Sequence, residues 1–167
     1  FFFVFGKLVL KSSFLATVIT DHQDAMVTRL KTIAVAHRVD SLVREIIHGI
    51  HIEGPFINET PGFVGAHPIA AVRPAEIGIM QSLLDAADGL TRIVTLAPER
   101  DPAAAVTRFL SDQQIVVSAG HCDASLDQLR RAMDSGLSMF THLGNGCPET
   151  MHRHDNIVQR VLSLSKQ

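Results

Sequence analysis

The sequence predicts an α/β fold built on a parallel sheet, and three observations predict it. Short apolar runs recur along the chain, each about as long as a strand. Between them the apolar spacing switches to the three-to-four-residue period of an amphipathic helix. The runs themselves are apolar on both faces, as strands are when helices cover a sheet above and below. Size and composition suit this: 167 residues, 46% hydrophobic and 19% charged, make one domain with a real core (residues 1–167). The pattern alone fits a doubly wound sheet and a piece of a barrel equally, because a complete eight-stranded β/α barrel takes roughly 250 residues.

Residues 1–12 are an atypical apolar start, FFFVFGKLVLKS, interrupted by Lys7 and Lys11. The stretch is too short to span a membrane and lacks the pattern of a secretory signal. The chain opens on Phe rather than Met, so either a start inside a longer protein or an irregular origin of these first residues is expected. Residues 16–20 (ATVIT) form the first strand. A helix follows with Ala25, Met26, Leu30, Ile33 and Ala34 on one face, Asp21 placed to cap it, and His22 and His37 toward solvent. Residues 46–52 are the second strand. The loop after it, with Pro55, Pro61, Gly62, Gly65 and Pro68, is too long and Gly-rich to be a mere connector.

Pro74 then starts a helix that stops near Gly89, turning Ile77, Met80, Leu84 and Ala87 inward. RIVTLAPE is the third strand. Asp101 and Pro102 open the next helix, as cap and first-turn residue. IVVSAGH is the fourth strand. In the helix after it, Ser125 and Gln128 have the spacing of a capping box, and Gly136 ends it. SMFTHLGNG is the fifth strand, and residues 156–164 close with a helix. Met26, Met80 and Met133 fall at core spacing.

Several functions are excluded at this level. The net charge of −2, a pI near 6.5 and scattered Lys and Arg offer no nucleic-acid surface. Two cysteines, Cys122 and Cys147, make neither a disulfide framework nor a zinc ribbon, and they suit a reduced cytoplasmic setting. No membrane segment is expected.

Three strands end in residues that bind metals: Glu53 in HGIHIEGPFIN, His121 in VVSAGHCDA and His142 in MFTHLGNG. In parallel α/β folds the carboxyl ends of the strands make the functional face, which gathers residues distant in sequence. A lone strand-end histidine is more often a hydrogen-bonding rim residue; three ligand types on one rim are harder to obtain by accident. Two imidazoles and a carboxylate with one open position are a catalytic zinc arrangement, in which bound water reaches a pKa of about 7. His51 alternates to the inward face, where core packing is the simpler reading and support of the site the other. Cys122 is read as packing, Asp123 as a helix start and Asp155 as a helix N-terminal charge.

With these motifs in view, the chain resembles the N-acetylglucosamine-6-phosphate deacetylases of the amidohydrolase superfamily. HIEGPF, GAH, VTLAPE, SAGHCDA and THLGN occur in that family's order and rough spacing, from about Ser13 to the end. The resemblance implies part of a (β/α)8 TIM-type barrel, a divalent metal (commonly zinc) held by Glu53, His121 and His142, and removal of acetate from an amino-sugar phosphate. It also implies sugar contacts from Ala66, His67, Asn145 and Gly146, and a phosphate contact from Arg153. Asn145-Gly146-Cys147 departs from the family's Asn-Ala-Met, and residues 151–156 differ as well, which bears on the sugar pocket. The family's general-base aspartate comes from a later strand, so no catalytic base is expected within this chain. A homo-oligomer is expected. Two other readings stand beside this one: an amidohydrolase acting on a different amide, and a non-catalytic fragment that binds a metal or sugar.

Overall fold

Strand order decides between the two sheet types. The computed structural model describes residues 13–164; the apolar start at 1–12 lies outside them. Its strands are β1 (Phe14–Ile19), β2 (Ile47–Glu53), β3 (Thr91–Leu96), β4 (Val116–Ala119) and β5 (Leu137–Phe140). They lie side by side in sequence order, every adjacent pair parallel. A doubly wound sheet reverses its order part-way, at the point where ligands bind. A wall of consecutive parallel strands is instead how a barrel is laid down. Among the described residues the sheet stays open, with β1 paired to β2 and β5 to β4.

Among the described residues six α-helices connect and cover the strands: α1 (Gln23–Val39), α2 (Ser41–Ile46), α3 (Ile77–Ala86), α4 (Ala105–Asp112), α5 (Leu126–Asp134) and α6 (Ile157–Leu164). Met26 and Leu30 of α1, Met80 and Leu83 of α3, Leu110 of α4 and Leu129 of α5 are buried in one core with Ile50, Ile52, Val94, Leu96 and Val117 of the sheet. This hydrophobic burial is the main favourable term in forming the layer.

The opposite face of the sheet corrects an expectation. The strands are not apolar on both sides, because the alternate residues carry polar groups. His51 Nε2 lies 2.7 Å from Thr95 Oγ1, Thr95 Oγ1 lies 2.7 Å from Thr141 Oγ1, and Ser118 Oγ lies 2.7 Å from the same Thr141 oxygen. A continuous hydrogen-bonded row thus crosses the inner surface from β2 to the residue after β5, so His51 belongs to this row.

Local corrections have local causes. Residues 41–46 are helical and the second strand starts at Ile47 rather than Ile46, because the Asp40 carboxylate accepts from Leu42 N and Val43 N and nucleates a turn. Helix α3 begins at Ile77, not Pro74, since Arg73 N and Ala75 N are committed to Pro55 O and Arg100 O. Ile77 is consequently exposed, and Leu83 takes the inward place. Asp21 does not cap α1; it accepts from its neighbour His22 N and from Arg29 at 2.6 Å. The Ser125–Gln128 capping box forms as expected.

Candidate metal centre

Glu53 is the last residue of β2, while His121 and His142 each stand two residues past β4 and β5. Parallel register therefore brings all three to one rim. His121 Nε2 and His142 Nε2 each lie 3.0 Å from Glu53 Oε1. A third imidazole arrives from the loop after β2: His67 Nε2 lies 3.8 Å from that oxygen. Glu53, His67 and His121 are all buried, and their ligand atoms lie within 4.8 Å of one another, a group that could hold a metal ion. Strand-end position had placed His142 in the ligand set, and the family resemblance had placed His67 on the sugar. The structure sets His67 in the compact group and His142 at its more open edge, against the same carboxylate oxygen.

The donor set suits a cation. His121 Nδ1 lies 2.8 Å from the Phe63 carbonyl, which can only accept, so this nitrogen carries a proton and Nε2 is the atom left to face Glu53, donating when protonated and coordinating through its lone pair when an ion takes the proton's place. Imidazole nitrogens gathered on one carboxylate oxygen need positive charge between them, supplied by a proton or by a cation in its place. Ligands about 2.0–2.2 Å from a tetrahedral ion stand ~3.4 Å apart, between the 3.0 and 3.8 Å separations found around Glu53 Oε1. His67 Nδ1 is buried with no hydrogen-bond partner, so that ring is held by what its other nitrogen faces.

Charge follows the geometry. The His121 hydrogen bond is the largest effect on Glu53 and, against a cost of burial, holds its carboxyl down at about 2. Burial pushes the His67 imidazole down to about 4, which keeps it neutral and able to coordinate or hydrogen-bond. For His121, burial alone would lower the value; the Glu53 contact and the Phe63 carbonyl outweigh it and raise it.

Backbone strain concentrates at the same rim. His121 and His142 have φ of +50° and +35°, a region that side-chain-bearing residues seldom adopt. Two glycines make the close approach possible. Gly54 follows Glu53 at φ +84°, and a Cβ there would strike Thr20 Oγ1, whose hydroxyl donates to the Glu53 carbonyl at 3.1 Å. Gly146, at φ +67°, lies so near the His121 ring that a Cβ would come 2.8 Å from Nδ1. Nothing in residue spacing announced these positive φ values.

Comparison with known proteins gives the rim its family context. No family model matches the chain. An N-acetylglucosamine-6-phosphate deacetylase from Bacillus subtilis is 36% identical over 154 residues, which is 91% of this chain and 38% of that protein. An N-acetylgalactosamine-6-phosphate deacetylase from Escherichia coli O157:H7 is 32% identical over 146 residues, 87% of this chain and 38% of its own length. An N-acetyl-D-glucosamine-6-phosphate deacetylase from Mycobacterium smegmatis superposes with a TM-score of 0.78 at 30% identity, over 91% of this chain and 38% of that one. In sequence and in fold the chain is thus similar to N-acetylglucosamine-6-phosphate deacetylases. It spans about two fifths of the length of these relatives. The Mycobacterium protein was solved as an aspartate-to-alanine variant in complex with N-acetyl-D-glucosamine-6-phosphate, so the matched fold is one that holds this sugar phosphate in that protein.

The remaining family positions fall at unequal distances from the centre. Ala66 is exposed beside buried His67. Asn145 is exposed; its backbone N donates to the His142 carbonyl and its own carbonyl lies 3.3 Å from His142 Nδ1, so Asn145 and Gly146 form the turn that follows His142. Arg153 lies on the exposed segment 151–155, where its carbonyl accepts from Gln159. A cavity of about 430 Å³ beside Phe63 is lined by a different cation, Arg160, with His152, Asp123 and Asp155. Arg160 pairs with both aspartates, at 2.9 and 2.6 Å. The sequence reading missed Arg160, which looks like an ordinary residue on the closing helix. Cys122 is buried packing, as expected.

Proposed function

We propose that this chain carries the metal centre and part of the sugar site of a hydrolase that removes acetate from N-acetylglucosamine 6-phosphate. The observation that carries the reading is the convergence of three imidazole Nε2 atoms on Glu53 Oε1, at the strand ends of a sheet whose relatives are 6-phosphate deacetylases. Imidazole nitrogens with one carboxylate are the ligand set of zinc, which we take as the native ion. In this reading Glu53, His121 and His142 hold the ion, with His67 close enough to join them. When bound, such an ion supplies Lewis acidity toward an amide carbonyl and lowers the pKa of water.

The protein's own groups do the rest. Glu53 stays ionised and balances the positive charge. His67, neutral and unpartnered at Nδ1, orients the sugar together with Ala66, Asn145 and Gly146. Arg153, on its exposed segment, is free to swing onto a phosphate, and a guanidinium suits that anion. We further take the chain to work in the cytoplasm, where its free thiols Cys122 and Cys147 stay reduced, and to associate with copies of itself. No helix among the described residues is long and apolar enough to cross a membrane. The Escherichia coli relative favours a second reading, in which the sugar is N-acetylgalactosamine 6-phosphate.

Calorimetric titration of the zinc-loaded chain separates these readings. Saturable binding of N-acetylglucosamine 6-phosphate, weaker binding of its galactosamine epimer and weaker still of N-acetylglucosamine itself is the expected order. The reverse preference between epimers selects the second reading. Equal binding with and without the phosphate overturns the 6-phosphate assignment.

A further inference from the structure

Glu99 stands in the turn after β3 and touches neither Glu53 nor any of the three histidines. Its Oε1 accepts from Asn58 Nδ2 at 2.8 Å and from Asp123 N at 2.6 Å. One carboxylate oxygen therefore ties the loop that leaves β2 to the loop that leaves β4. Those are the loops that carry His67 and His121.

Asn58 passes the constraint on in two directions. Its backbone N donates to the His121 carbonyl at 2.9 Å, which holds the main chain of the residue with φ +50°. Its Oδ1 accepts from Thr60 N at 2.8 Å, and Phe63 N in turn donates to Thr60 O at 3.0 Å. That turn presents the Phe63 carbonyl to His121 Nδ1. Backbone and ring of His121 are thus both fixed by a path that begins at Glu99. Beside it Arg100 reaches Glu59 at 2.9 Å, a second strut between the turn after β3 and the loop that leaves β2.

We propose that Glu99 is a positioning residue for the metal centre, acting through Asn58 to hold the His121 imidazole at its ligand geometry. The inference rests on the metal reading above. Its carboxyl is pushed up by burial, and Oε2 is buried without a partner, so the site uses Oε1 as an acceptor and has no evident use for full ionisation. That distinguishes the role from an ion pair. Glutamine, with one carbonyl oxygen in the same place, can do the work; methionine, of similar length and without the acceptor, cannot.

Zinc affinity, measured by competition with a chromophoric chelator, tests this on the whole chain. The Glu99→Gln variant should stay within about threefold of wild type. Glu99→Met should bind zinc about ten- to a hundredfold more weakly, the usual effect of losing a group that orients a ligand. Asn58→Ala should weaken binding similarly, and the double variant should be no worse than Glu99→Met, because the two act in series. Unchanged affinity in Glu99→Met, or additive losses in the double variant, overturns the proposal. If Glu99→Met does not fold, an unchanged affinity in Asn58→Ala overturns it. Zinc binding to no variant, wild type included, overturns the metal reading instead. The path from Glu99 is then judged by amide exchange at Asn58: faster exchange in Asn58 and Asp123 with Glu99→Met but not Glu99→Gln supports it, and equal exchange in both overturns it.

Discussion

Glu53 shows what one carboxylate can do when three imidazoles face it. Replacing it by Gln keeps the shape and removes the charge, which leaves the donors without their anionic partner. Glu53→Gln should lower zinc affinity at least tenfold, measured by chelator competition, and should leave the circular dichroism spectrum unchanged. His67 makes a pH prediction. Its folded value of about 4 lies below the ordinary 6.5, so the unfolded chain binds the extra proton between those limits. This contribution to the stability of the metal-free protein should therefore be fully present above pH 6.5 and fall as pH drops toward 4, by at most about 3 kcal/mol. Glu53, depressed to about 2, extends the loss below pH 4.5, whereas the raised His121 acts in the opposite sense above 6.5. Urea midpoints across this range check it, and His67→Gln should flatten the limb between 6.5 and 4. At this scale Glu53, His121 and His142 were legible because each follows an apolar run. His67 entered only through resemblance, as a sugar contact, since nothing in spacing fixes the path of the long loop between Glu53 and Ile77.

Helix ends were legible where a side chain makes the cap and illegible where tertiary bonds decide. Asp101 illustrates both. It was expected to cap a helix starting at Pro102, yet residues 102–104 form a separate tight turn with Ala103 and Ala104 at positive φ, and α4 starts at Ala105. The Asp101 carboxylate still caps, from farther out, accepting from Val106 N at 3.0 Å, Thr107 N at 2.8 Å and Thr107 Oγ1 at 2.7 Å. All three donors would be left unpaired in Asp101→Ala. The variant should lose about 2 kcal/mol in urea unfolding, with zinc affinity unchanged because the Asp101 carboxylate bonds to α4 and to none of the metal-site residues. Helix α2 escaped notice because Leu42, Val43, Ile46 and Ile47 read as well as strand lead-in as they do as one short turn.

The order of the whole sheet was the least legible feature. Alternating strands and helices fixed the class, while the barrel-like order could be inferred only from resemblance, and consecutive parallel pairing now supplies it independently. The polar inner face was also missed, because Thr and Ser in a Val-rich strand look like tolerated neighbours until they are seen to meet one another. Thr141 sits at the junction of that row, beside His142, with Thr95 and Ser118 both bonded to its hydroxyl. Thr141→Val should cost about 1–3 kcal/mol of stability, read from urea denaturation, since it strands two buried hydroxyls without their shared partner.

The metal content of the purified chain bears most directly on the whole account. Inductively coupled plasma mass spectrometry of the wild type, beside His121→Ala after the same zinc loading and dialysis, should find about one zinc per chain in the first and little in the second. Equal zinc in both, or none in the wild type, would contradict a metal centre built on Glu53 and its histidines.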